Sequence, residues 1–385
     1  MLQAHSAQGH VTTLAMYSPA EIDRLRKKKF YCPVCHGEVI IRAGPVITPH
    51  FAHQAKQDCP ANRGGEGPVH EKGKLLLYQW LKKHNVDVRL EHYLPNIQQQ
   101  PDLFLQLNKQ RIAIEYQCSK IPITQLQKRN KGYQNAGITP IWILGPNQFK
   151  RDRSNRLHVN SFILQCMHQF NASHPFTIYF FCPNSRQFLI IQHVYLLGRG
   201  RACAVFQFKK LEELLFTQLF HPQPLERKQL SQMWTKAKRN FRLLQQKRPY
   251  GKELAWRRWL YEKKLYMEQL PSVIYLPIRN QFLMKTSPWD WQSRIWLDVI
   301  HPLSSGALFS ISQCERAVCD DQIDRSQYPL VTCKESPIRQ YLHLLAQFHI
   351  ITQKSTDMYQ KRKHIPFHSH IEEALTADEK LMKRF

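Results

Sequence analysis

Apolar residues recur with helix and strand periods between residues 69 and 145, so this block is predicted to fold as one unit. A helix is expected over residues 69–83, where apolar positions fall on one side. Residues 86–94 alternate between polar and apolar positions, a pattern typical of a strand. The unit therefore begins with a helix that is followed by a strand.

A hairpin, a second helix and a further strand complete this unit. Residues 102–118 predict two strands joined by a polar turn at residues 108–110. Thr124 and Gln127 fit a capping box that would open the second helix. Residues 138–144 are nearly all apolar, as expected for a strand buried on both faces. This order of helices and strands indicates a mixed α/β unit.

The segments before this unit have a different character. Residues 1–30 end in a basic run and are predicted to be a mobile start, with structure beginning near Met16. Residues 32–59 are rich in Cys, His and Gly but poor in periodic apolar positions, so they cannot bury much apolar surface unaided. Something other than apolar packing should therefore hold residues 32–59 together.

The rest of the chain adds strands first and helices later. Apolar strands are expected near residues 177–182, 188–192 and 203–208, where they can extend the same sheet. Residues 223–270 carry 13 Lys or Arg against four Glu, interleaved with tryptophans, which predicts a basic helical arm. The remaining residues indicate a mostly helical third domain.

Composition points to a polyanionic partner. The 385 residues hold 55 Lys or Arg against 29 Asp or Glu, a formal net charge of +26. Such an excess disfavours a compact chain unless a polyanion neutralises it, so nucleic acid is the first candidate and an anionic membrane surface the second. No run of ~18 uncharged apolar residues or signal-peptide pattern is present, so we expect no membrane insertion and a cytoplasmic location. Ten cysteines are too sparse for a disulfide scaffold.

Two pairs of metal-ligating residues occupy the segment that lacks a predicted core. They are Cys32 with Cys35, and His50 with His53. Two thiolates and two imidazoles suit a tetrahedral Zn²⁺ ion, and each pair can hold one edge of the tetrahedron. The histidine pair is one residue tighter than the usual finger spacing, so Cys59 is an alternative to one histidine. We predict a structural zinc site here; the alternative is a loop of ordinary polar residues.

The predicted hairpin brings two acidic residues together. If its turn is centred between Asn108 and Lys109, Asp102 lies opposite Glu115 on the adjacent strand. Directly opposed Cβ atoms are ~5 Å apart, and two like charges there repel unless a cation lies between them. Mg²⁺ or Mn²⁺ would fit, and either ion could activate a water molecule against a phosphodiester. Gln117 projects to the same face as Glu115; the alternative is a surface hairpin with solvated acids.

Other candidate residues lie on the predicted helices. His70 and Lys74 share a face of the first helix, where they could bind a phosphate or a metal-bound water, or simply be solvated. Arg129 and Tyr133 share a face of the second helix and are candidate contacts to the DNA backbone. In the basic arm, Arg257 and Arg258 are also candidate contacts to the DNA backbone.

Several segments resemble the CoiA competence-protein family. They are residues 66–74 (EGPVHEKGK), 98–102 (QQQPD), 114–121 (IEYQCSKI), 129–133 (RNKGY) and 140–145 (PIWILG). The Cys and His pairs resemble the family's N-terminal zinc-finger-like segment, and residues 288–292 (PWDWQ) resemble its C-terminal part. The resemblance implies a restriction-endonuclease-like fold of the PD-(D/E)xK superfamily and a role in processing or recombining DNA taken up during natural transformation.

The resemblance also implies roles for individual residues. By position, Asp102 matches the superfamily's aspartate and Glu115 its second metal ligand. Glu91, at the end of the preceding strand, is a candidate for an additional metal ligand. The resemblance puts Gln117 at the position where the superfamily has a lysine. Glutamine can orient a water molecule but cannot stabilise the developing phosphate charge as a cation would. Either Lys74 or Lys120 supplies that charge, or cleavage is weak, or the site binds DNA without cutting it.

The expected fold class is α/β, or α+β, with a restriction-endonuclease-like core over residues 63–222. A zinc-finger-like segment would precede it over residues 1–62, and a basic, mostly helical region would follow over residues 223–385. We expect Mg-dependent hydrolysis of incoming DNA, with single-stranded DNA and recombination proteins as candidate partners. The alternatives are a non-catalytic accessory protein that binds single-stranded DNA by charge and stacking, and an RNA-associated zinc protein. The sequence leaves the oligomeric state open.

Overall fold

The structure, a computed structural model, describes residues 1–44, 47–54, 59, 67–244 and 248–385. Three sheets organise these residues: a five-stranded sheet near the N-terminus, a nine-stranded sheet in the middle and a three-stranded sheet near the C-terminus. None of the helices in the described ranges has the length and apolar character needed to span a membrane. The protein is thus a mixed α/β chain.

The N-terminal module is built on the five-stranded sheet, in the order β2-β1-β3-β4-β5. Its elements are β1 (Gln3–Ser6), β2 (Val11–Thr13), α1 (Pro19–Leu25), β3 (Phe30–Tyr31), β4 (Glu38–Gly44) and β5 (Ile47–His53). Ser18 and Glu21 form a capping box that opens α1. Phe30 and Phe51 pack 5.0 Å apart, between ring centroids, in a small core. The prediction that structure begins near Met16 is wrong, because β1 already pairs with β2 and β3.

The nine-stranded sheet has the order β10-β11-β14-β13-β12-β9-β8-β7-β6. Its elements are α2 (Pro68–Lys83), β6 (Asp87–Leu90), β7 (Leu103–Leu107), β8 (Gln110–Gln117), α3 (Ile123–Asn135), β9 (Ile138–Leu144), β10 (Arg151–Arg153), β11 (Arg156–His158), α4 (Ser161–Gln165), β12 (Thr177–Cys182), β13 (Gln187–Gly198) and β14 (Arg201–Lys210). β9 runs parallel to both β8 and β12, and the other pairs are antiparallel. The three later strands extend the same sheet, as the sequence indicated.

The β7–β8 hairpin has the register that the sequence predicts. Leu103 pairs with Ile114, and continuing this register by one residue puts Asp102 opposite Glu115. Two local predictions are wrong. α3 begins at Ile123 without a side-chain cap, so there is no capping box at Thr124. The strand predicted over residues 86–94 ends at Leu90, because the next residue adopts a left-handed conformation.

Helices cover both faces of this sheet. α2 packs on one face, where Leu77 and Trp80 join the apolar cluster that includes Ile114 and Tyr116. Gly73 permits this close approach, since a Cβ atom there would lie 2.1 Å from the ring of Tyr116. α3 and α4 cover the other face. Because side chains alternate along a strand, Glu115 faces α3 while its neighbours on β8 face α2.

The C-terminal part is mostly helical and has its own core. Its elements are α5 (Arg227–Leu243), α6 (Gly251–Glu262), α7 (Pro288–Arg294), β15 (Leu308–Ser310), α8 (Ile311–Ala317), α9 (Pro337–Gln347), β16 (Ile351–Gln353), β17 (Met358–Lys361) and α10 (Ile371–Lys383). A π-helical turn over Ile295–Ile300 continues α7. Trp234 and Trp256 of the predicted arm are each 0% exposed. The arm is therefore part of a packed core, and these two rings are not available to stack on bases.

Candidate functional site

The carboxylate of Asp102 lies at the start of β7, where groups from β8 and α2 converge on it. The backbone N–H of Tyr116 donates to Oδ2 at 2.8 Å. The Nε2 atom of His70 lies 3.5 Å from Oδ1, and the Nζ atom of Lys74 lies 3.8 Å from the same oxygen. Asp102 is only 5% exposed. The predicted face of α2 thus points at the predicted aspartate.

Lys74 is also paired with Glu91, and both side chains are buried. The Nζ atom of Lys74 donates to Oε1 of Glu91 at 2.5 Å, and Oε2 accepts from the backbone N–H of Leu2 at 2.7 Å. Glu91 reaches this position because the chain turns sharply after β6, with φ of 49° at Glu91. Its backbone N–H donates to the carbonyl of Asp102 at 2.9 Å. Lys120, the other candidate cation, is exposed beyond the end of β8.

Glu115 faces α3 and is 2% exposed. Its Oε1 atom accepts hydrogen bonds from the guanidinium of Arg129 and from the hydroxyl of Tyr133. Arg129 also donates to the hydroxyl oxygen of Tyr133 at 2.9 Å and to the carbonyl of Gln100 at 3.3 Å. Burial lowers the pKa of Arg129, but Glu115, Tyr133 and Asp102 together outweigh this and raise the pKa overall. Arg129 and Tyr133, predicted as DNA contacts, therefore turn inward towards Glu115 in this conformation.

Gln117 and Gln100 complete the polar surroundings of the site. Gln117 is half-buried at the end of β8, and its Nε2 atom donates to the carbonyl of Ser119 at 2.8 Å. The Nε2 atom of Gln100 donates to the carbonyl of Glu91 at 2.7 Å. Gln100 thus links the turn that carries Glu91 to Arg129. Sequence reasoning missed this role of Gln100; the run of glutamines before Asp102 was the available signal.

A second cluster lies in the N-terminal module. Its members are Cys32, Cys35, His53 and Cys59, whose ligand atoms all lie within 4.8 Å of one another. The Sγ atoms of Cys32 and Cys59 are 3.8 Å apart, and Sγ of Cys35 is 3.3 Å from Nε2 of His53. The turn between β3 and β4 positions the first two cysteines, and the backbone N–H of Val34 donates to Sγ of Cys32 at 3.4 Å. Within the described residues, this is the only group of three or more Cys, His, Asp or Glu side chains close enough to hold a metal ion.

The predicted ligand His50 lies outside this cluster, and Cys59 takes its place. His50 and His53 are three residues apart on β5, and side chains with that spacing point to opposite faces of a strand. His50 instead hydrogen-bonds the carbonyl of Thr48 at 2.9 Å, and its Nδ1 atom lies 3.7 Å from Oε1 of Glu71 on α2. The structure therefore assembles the alternative ligand set that the sequence left open.

The cysteine-rich cluster fits a soft divalent cation. Burial raises the pKa of the Cys32 thiol to about 12, so a nearby positive charge is needed to hold it as a thiolate. Three sulfur atoms and one imidazole nitrogen are a donor set that suits a tetrahedral ion. The cluster can therefore hold a metal ion at the point where β5 meets the β3–β4 turn.

Three family models match successive parts of the chain. They are described as the N-terminal domain of competence protein CoiA, matching residues 14–62, its nuclease-like domain, matching residues 66–224, and its C-terminal domain, matching residues 230–375. The chain belongs to the CoiA family. A curated CoiA relative, "Competence protein CoiA" of Bacillus subtilis (strain 168), is 28% identical over 343 residues, which cover 87% of this chain and 90% of the relative. No solved structure matches this CoiA-family chain.

These matches confirm the family that the sequence motifs indicated. The polar cluster around Asp102 and Glu115 lies within the segment matched by the CoiA nuclease-like domain. The cysteine-rich cluster lies within the segment matched by the CoiA N-terminal domain. The two clusters are therefore in different domains of the family, although Leu2 and His50 of the N-terminal module contact residues of the nuclease-like domain.

Proposed function

We propose that this CoiA-family protein acts on DNA in competence and that its nuclease-like domain hydrolyses phosphodiester bonds with Mg²⁺ or Mn²⁺. One observation carries the proposal: the buried carboxylate of Asp102, opposite Glu115 in the hairpin register, is approached by His70 and Lys74 of α2. Buried charged groups of this kind, grouped around one strand end, are typical of catalytic sites. The family relationship supports the role in competence, and the nuclease-like domain supports DNA as the partner.

Asp102, Glu115 and Glu91 are the residues that would hold the catalytic cation. All three are carboxylates, the ligand type that Mg²⁺ and Mn²⁺ prefer, and all three are buried. When bound, such an ion would activate a water molecule and stabilise charge on the phosphate. The ligand type thus fits a hard cation of the kind expected for the PD-(D/E)xK superfamily. In the described residues these three side chains are not gathered around one point, since Glu115 is bound to Arg129 and Tyr133 on the α3 side, so binding of the ion would have to draw them together.

The remaining polar residues have separate roles in this proposal. Lys74 provides the positive charge that Gln117 cannot provide, since the Nζ atom of Lys74 lies 3.8 Å from Oδ1 of Asp102. Arg129 keeps its positive charge beside Glu115 and can contact a phosphate when that pairing opens. Gln117 orients a water molecule through its amide. His70, 3.5 Å from Asp102, can accept or donate a proton near the reacting phosphate.

The cysteine-rich cluster is proposed to bind a structural Zn²⁺ ion. Three thiolates and one imidazole fill the four positions of a tetrahedral ion and leave no open position for catalysis. Because Leu2 and His50 of the same module contact Glu91 and Glu71, zinc binding would also stabilise one wall of the nuclease site. A division at residues 1–62, 63–222 and 223–385, a cytoplasmic location and single-stranded DNA as the preferred form remain parts of the proposal.

A second candidate function is non-catalytic DNA binding by the same fold in support of recombination. Two points favour it. The family resemblance puts Gln117 at the position where the superfamily has a lysine, and Glu115 is already engaged by Arg129 and Tyr133. In this case the excess of 55 basic over 29 acidic residues would provide the affinity for DNA without cleavage.

A cleavage assay separates the two functions. Labelled single-stranded and duplex DNA would be incubated with Mg²⁺ or Mn²⁺ and with wild type, Glu115→Gln or Asp102→Asn. We expect each substitution to lower metal-dependent cleavage by a factor of about 100 or more, equivalent to ~2.7 kcal/mol of transition-state stabilisation, while DNA binding stays intact or tightens. Glu212→Gln, which changes an exposed acid on the same domain, is the matched control.

Each outcome of this assay has a clear meaning. Cleavage by Glu115→Gln at the wild-type rate would refute the assignment of the site. The non-catalytic function would be favoured if the wild type binds DNA in a salt-sensitive way but cleaves neither single-stranded nor duplex DNA with either metal.

A further inference from the structure

A cavity of about 270 Å³ lies between the nine-stranded sheet and the C-terminal core. Four arginines line it: Arg153, Arg156, Arg199 and Arg201. They come from β10, β11, the β13–β14 turn and the start of β14, so two adjacent hairpins gather them. α5 and α7 form the opposite wall. β14 is separated from β8 by three strands, so ~19 Å of sheet lies between this cavity and the proposed nuclease site.

The arginines are crowded in a way that favours an anion. Arg153 and Arg156 are direct cross-strand partners, and like charges in that position destabilise a sheet. Two acids offset part of the charge: Asp152 lies 3.1 Å from Arg156, and Glu253 lies 2.6 Å from Arg199. Glu253 also pairs with Arg257 at 3.3 Å, so the two acids are shared among five arginines and leave an excess of three positive charges.

One arginine has an unused donor. The Nε atom of Arg156 is buried, and no acceptor in the described part of the chain bonds to it. A buried N–H group without an acceptor costs free energy, and an oxygen-rich ligand would remove that cost. The Oδ2 atom of Asp152 also lacks a hydrogen-bond partner, but it lies 3.1 Å from Nη2 of Arg156 and is therefore paired by charge. The unused donor of Arg156 is independent of the charge count and points to the same kind of ligand.

The other wall of the cavity is aromatic. Phe241, Tyr275 and Trp289 line it, with ring centroids 5.1 to 5.2 Å apart. Arg199 lies over the Trp289 ring at 5.1 Å, which fixes its guanidinium at the edge of the cavity. These rings are only 2% to 6% exposed, so they offer an apolar wall and not free faces for stacking. An apolar wall next to arginines suits a nucleotide, because the base can contact the wall while the phosphate binds guanidinium groups.

We propose that this cavity binds the phosphate monoester of a single nucleotide, provided either by the phosphorylated end of a DNA strand or by a free nucleotide. A phosphate monoester carries a charge of about −1.5 to −2 at neutral pH, so it offsets more of this excess than an internal phosphodiester, which carries only one negative charge. The volume lies just below the usual range of ~300–1,000 Å³ for small-molecule pockets, which suits one nucleotide better than a longer chain. The inference does not require the nuclease site to cut DNA.

Binding of paired ligands to the full-length chain, without added Mg²⁺, tests this inference. A short single-stranded oligonucleotide with a 3′ fluorophore would be prepared in two forms, one ending in a 5′-phosphate and one in a 5′-hydroxyl. Each form would be titrated with the protein while its fluorescence anisotropy is recorded. Deoxyadenosine 5′-monophosphate and deoxyadenosine would be compared as competitors. We expect a preference of about tenfold or more for the phosphorylated form of at least one pair, because charge-assisted bonds to a monoester are strong.

Substitutions in the cavity assign the preference to these residues. Arg153→Gln combined with Arg201→Gln should abolish it, and both side chains are exposed enough for the variant to fold. Arg316→Gln combined with Arg362→Gln removes the same charge from exposed positions of the C-terminal part and should retain the preference. Asn240→Phe fills the cavity without changing charge and should also abolish it.

The outcomes distinguish the two sources of the phosphate. A preference limited to the oligonucleotide identifies a phosphorylated strand end, and a preference seen also with deoxyadenosine monophosphate identifies a nucleotide unit in general. Equal binding of both members of each pair by wild type would overturn the inference. So would a preference that survives both the double arginine substitution and Asn240→Phe. Because no cleavage is measured, failure of the proposed nuclease activity would leave this result unaffected.

Discussion

The Nζ atom of Lys74 lies 2.5 Å from Oε1 of Glu91 and 3.8 Å from Oδ1 of Asp102. Lys74 is 1% exposed, so this ammonium group is held between two carboxylates away from solvent. Breaking a buried ion pair leaves an uncompensated charge, which typically costs 3–5 kcal/mol. We therefore expect Lys74→Met to lower the free energy of unfolding by about 3–5 kcal/mol, measured by urea denaturation.

The double variant Lys74→Met with Glu91→Gln separates stability from activity. Removing both charges should restore part of the lost free energy of unfolding, because Glu91 no longer carries an unpaired buried charge. Asp102 also loses Lys74 but keeps the backbone N–H of Tyr116 and the imidazole of His70 as neighbours. Cleavage of DNA should stay low, since both the cation proposed to replace the superfamily lysine and the proposed metal ligand Glu91 are missing. Recovery of cleavage together with stability would show that Lys74 has only a structural role.

Metal analysis of single variants tests the ligand set of the N-terminal module. We expect about one zinc ion per wild-type chain, a loss of that ion in Cys59→Ser and no loss in His50→Gln, because His50 lies outside the cluster. Cys314→Ser, a buried cysteine of the C-terminal part, is the control for general effects of cysteine removal. Loss of zinc in His50→Gln together with its retention in Cys59→Ser would restore the histidine pair as the ligands.

The two arginines of α6 should contribute differently to DNA binding. Arg258 is exposed, whereas Arg257 is partly buried and lies 3.3 Å from Glu253. An exposed arginine that neutralises one phosphate of single-stranded DNA contributes ~0.7 to the slope of log affinity against log salt. We expect Arg258→Gln to reduce the slope by about that amount and Arg257→Gln to change it less. Titrations at several salt concentrations measure both slopes; equal slopes in wild type and Arg258→Gln would place α6 outside the DNA-binding surface.

The central hairpin shows what local pattern can predict. Its polar turn at Asn108 and Lys109 fixed the pairing of the strands, and a hairpin register follows directly from the position of its turn. The placement of Asp102 opposite Glu115 was therefore accessible from the sequence. The placement of His70 and Lys74 on one helical face followed in the same way from the helix period.

Contacts between distant segments were not accessible from such patterns. The backbone N–H of Leu2 donates to the carboxylate of Glu91, 89 residues further along the chain, and no periodic pattern in the sequence predicts that contact. The sequence offered Cys59 as an alternative to one histidine because the histidine pair is tighter than the usual finger spacing. The choice followed only from the strand β5, which puts His50 and His53 on opposite faces. The burial of Trp234 depended likewise on packing against the rest of the C-terminal core, so a basic and aromatic segment was predicted as an exposed arm.

His168 makes the stability of the nuclease-like domain depend on pH. Its side chain is 2% exposed, and its Nε2 atom accepts a hydrogen bond from the backbone N–H of Trp142 at 3.0 Å. Burial lowers the pKa of His168 to about 4 in the folded chain, below its ordinary value of 6.5. Between these two values the unfolded chain binds a proton that the folded chain does not bind. The contribution of His168 is therefore fully present above pH ~6.5 and is lost as the pH falls towards about 4, at ~1.4 kcal/mol per pH unit.

The variant His168→Gln tests this dependence, because glutamine does not titrate and its Oε1 atom can accept the same hydrogen bond from Trp142. Urea unfolding at pH 7 and pH 5 should show that wild type loses ~2 kcal/mol more than the variant over this interval. His10→Gln, at an exposed position of the N-terminal module, should behave like wild type. Equal losses in wild type and His168→Gln would mean that His168 already binds a proton in the folded state at pH 5, and the hydrogen bond from Trp142 would then have to be broken, since a protonated imidazole has no acceptor.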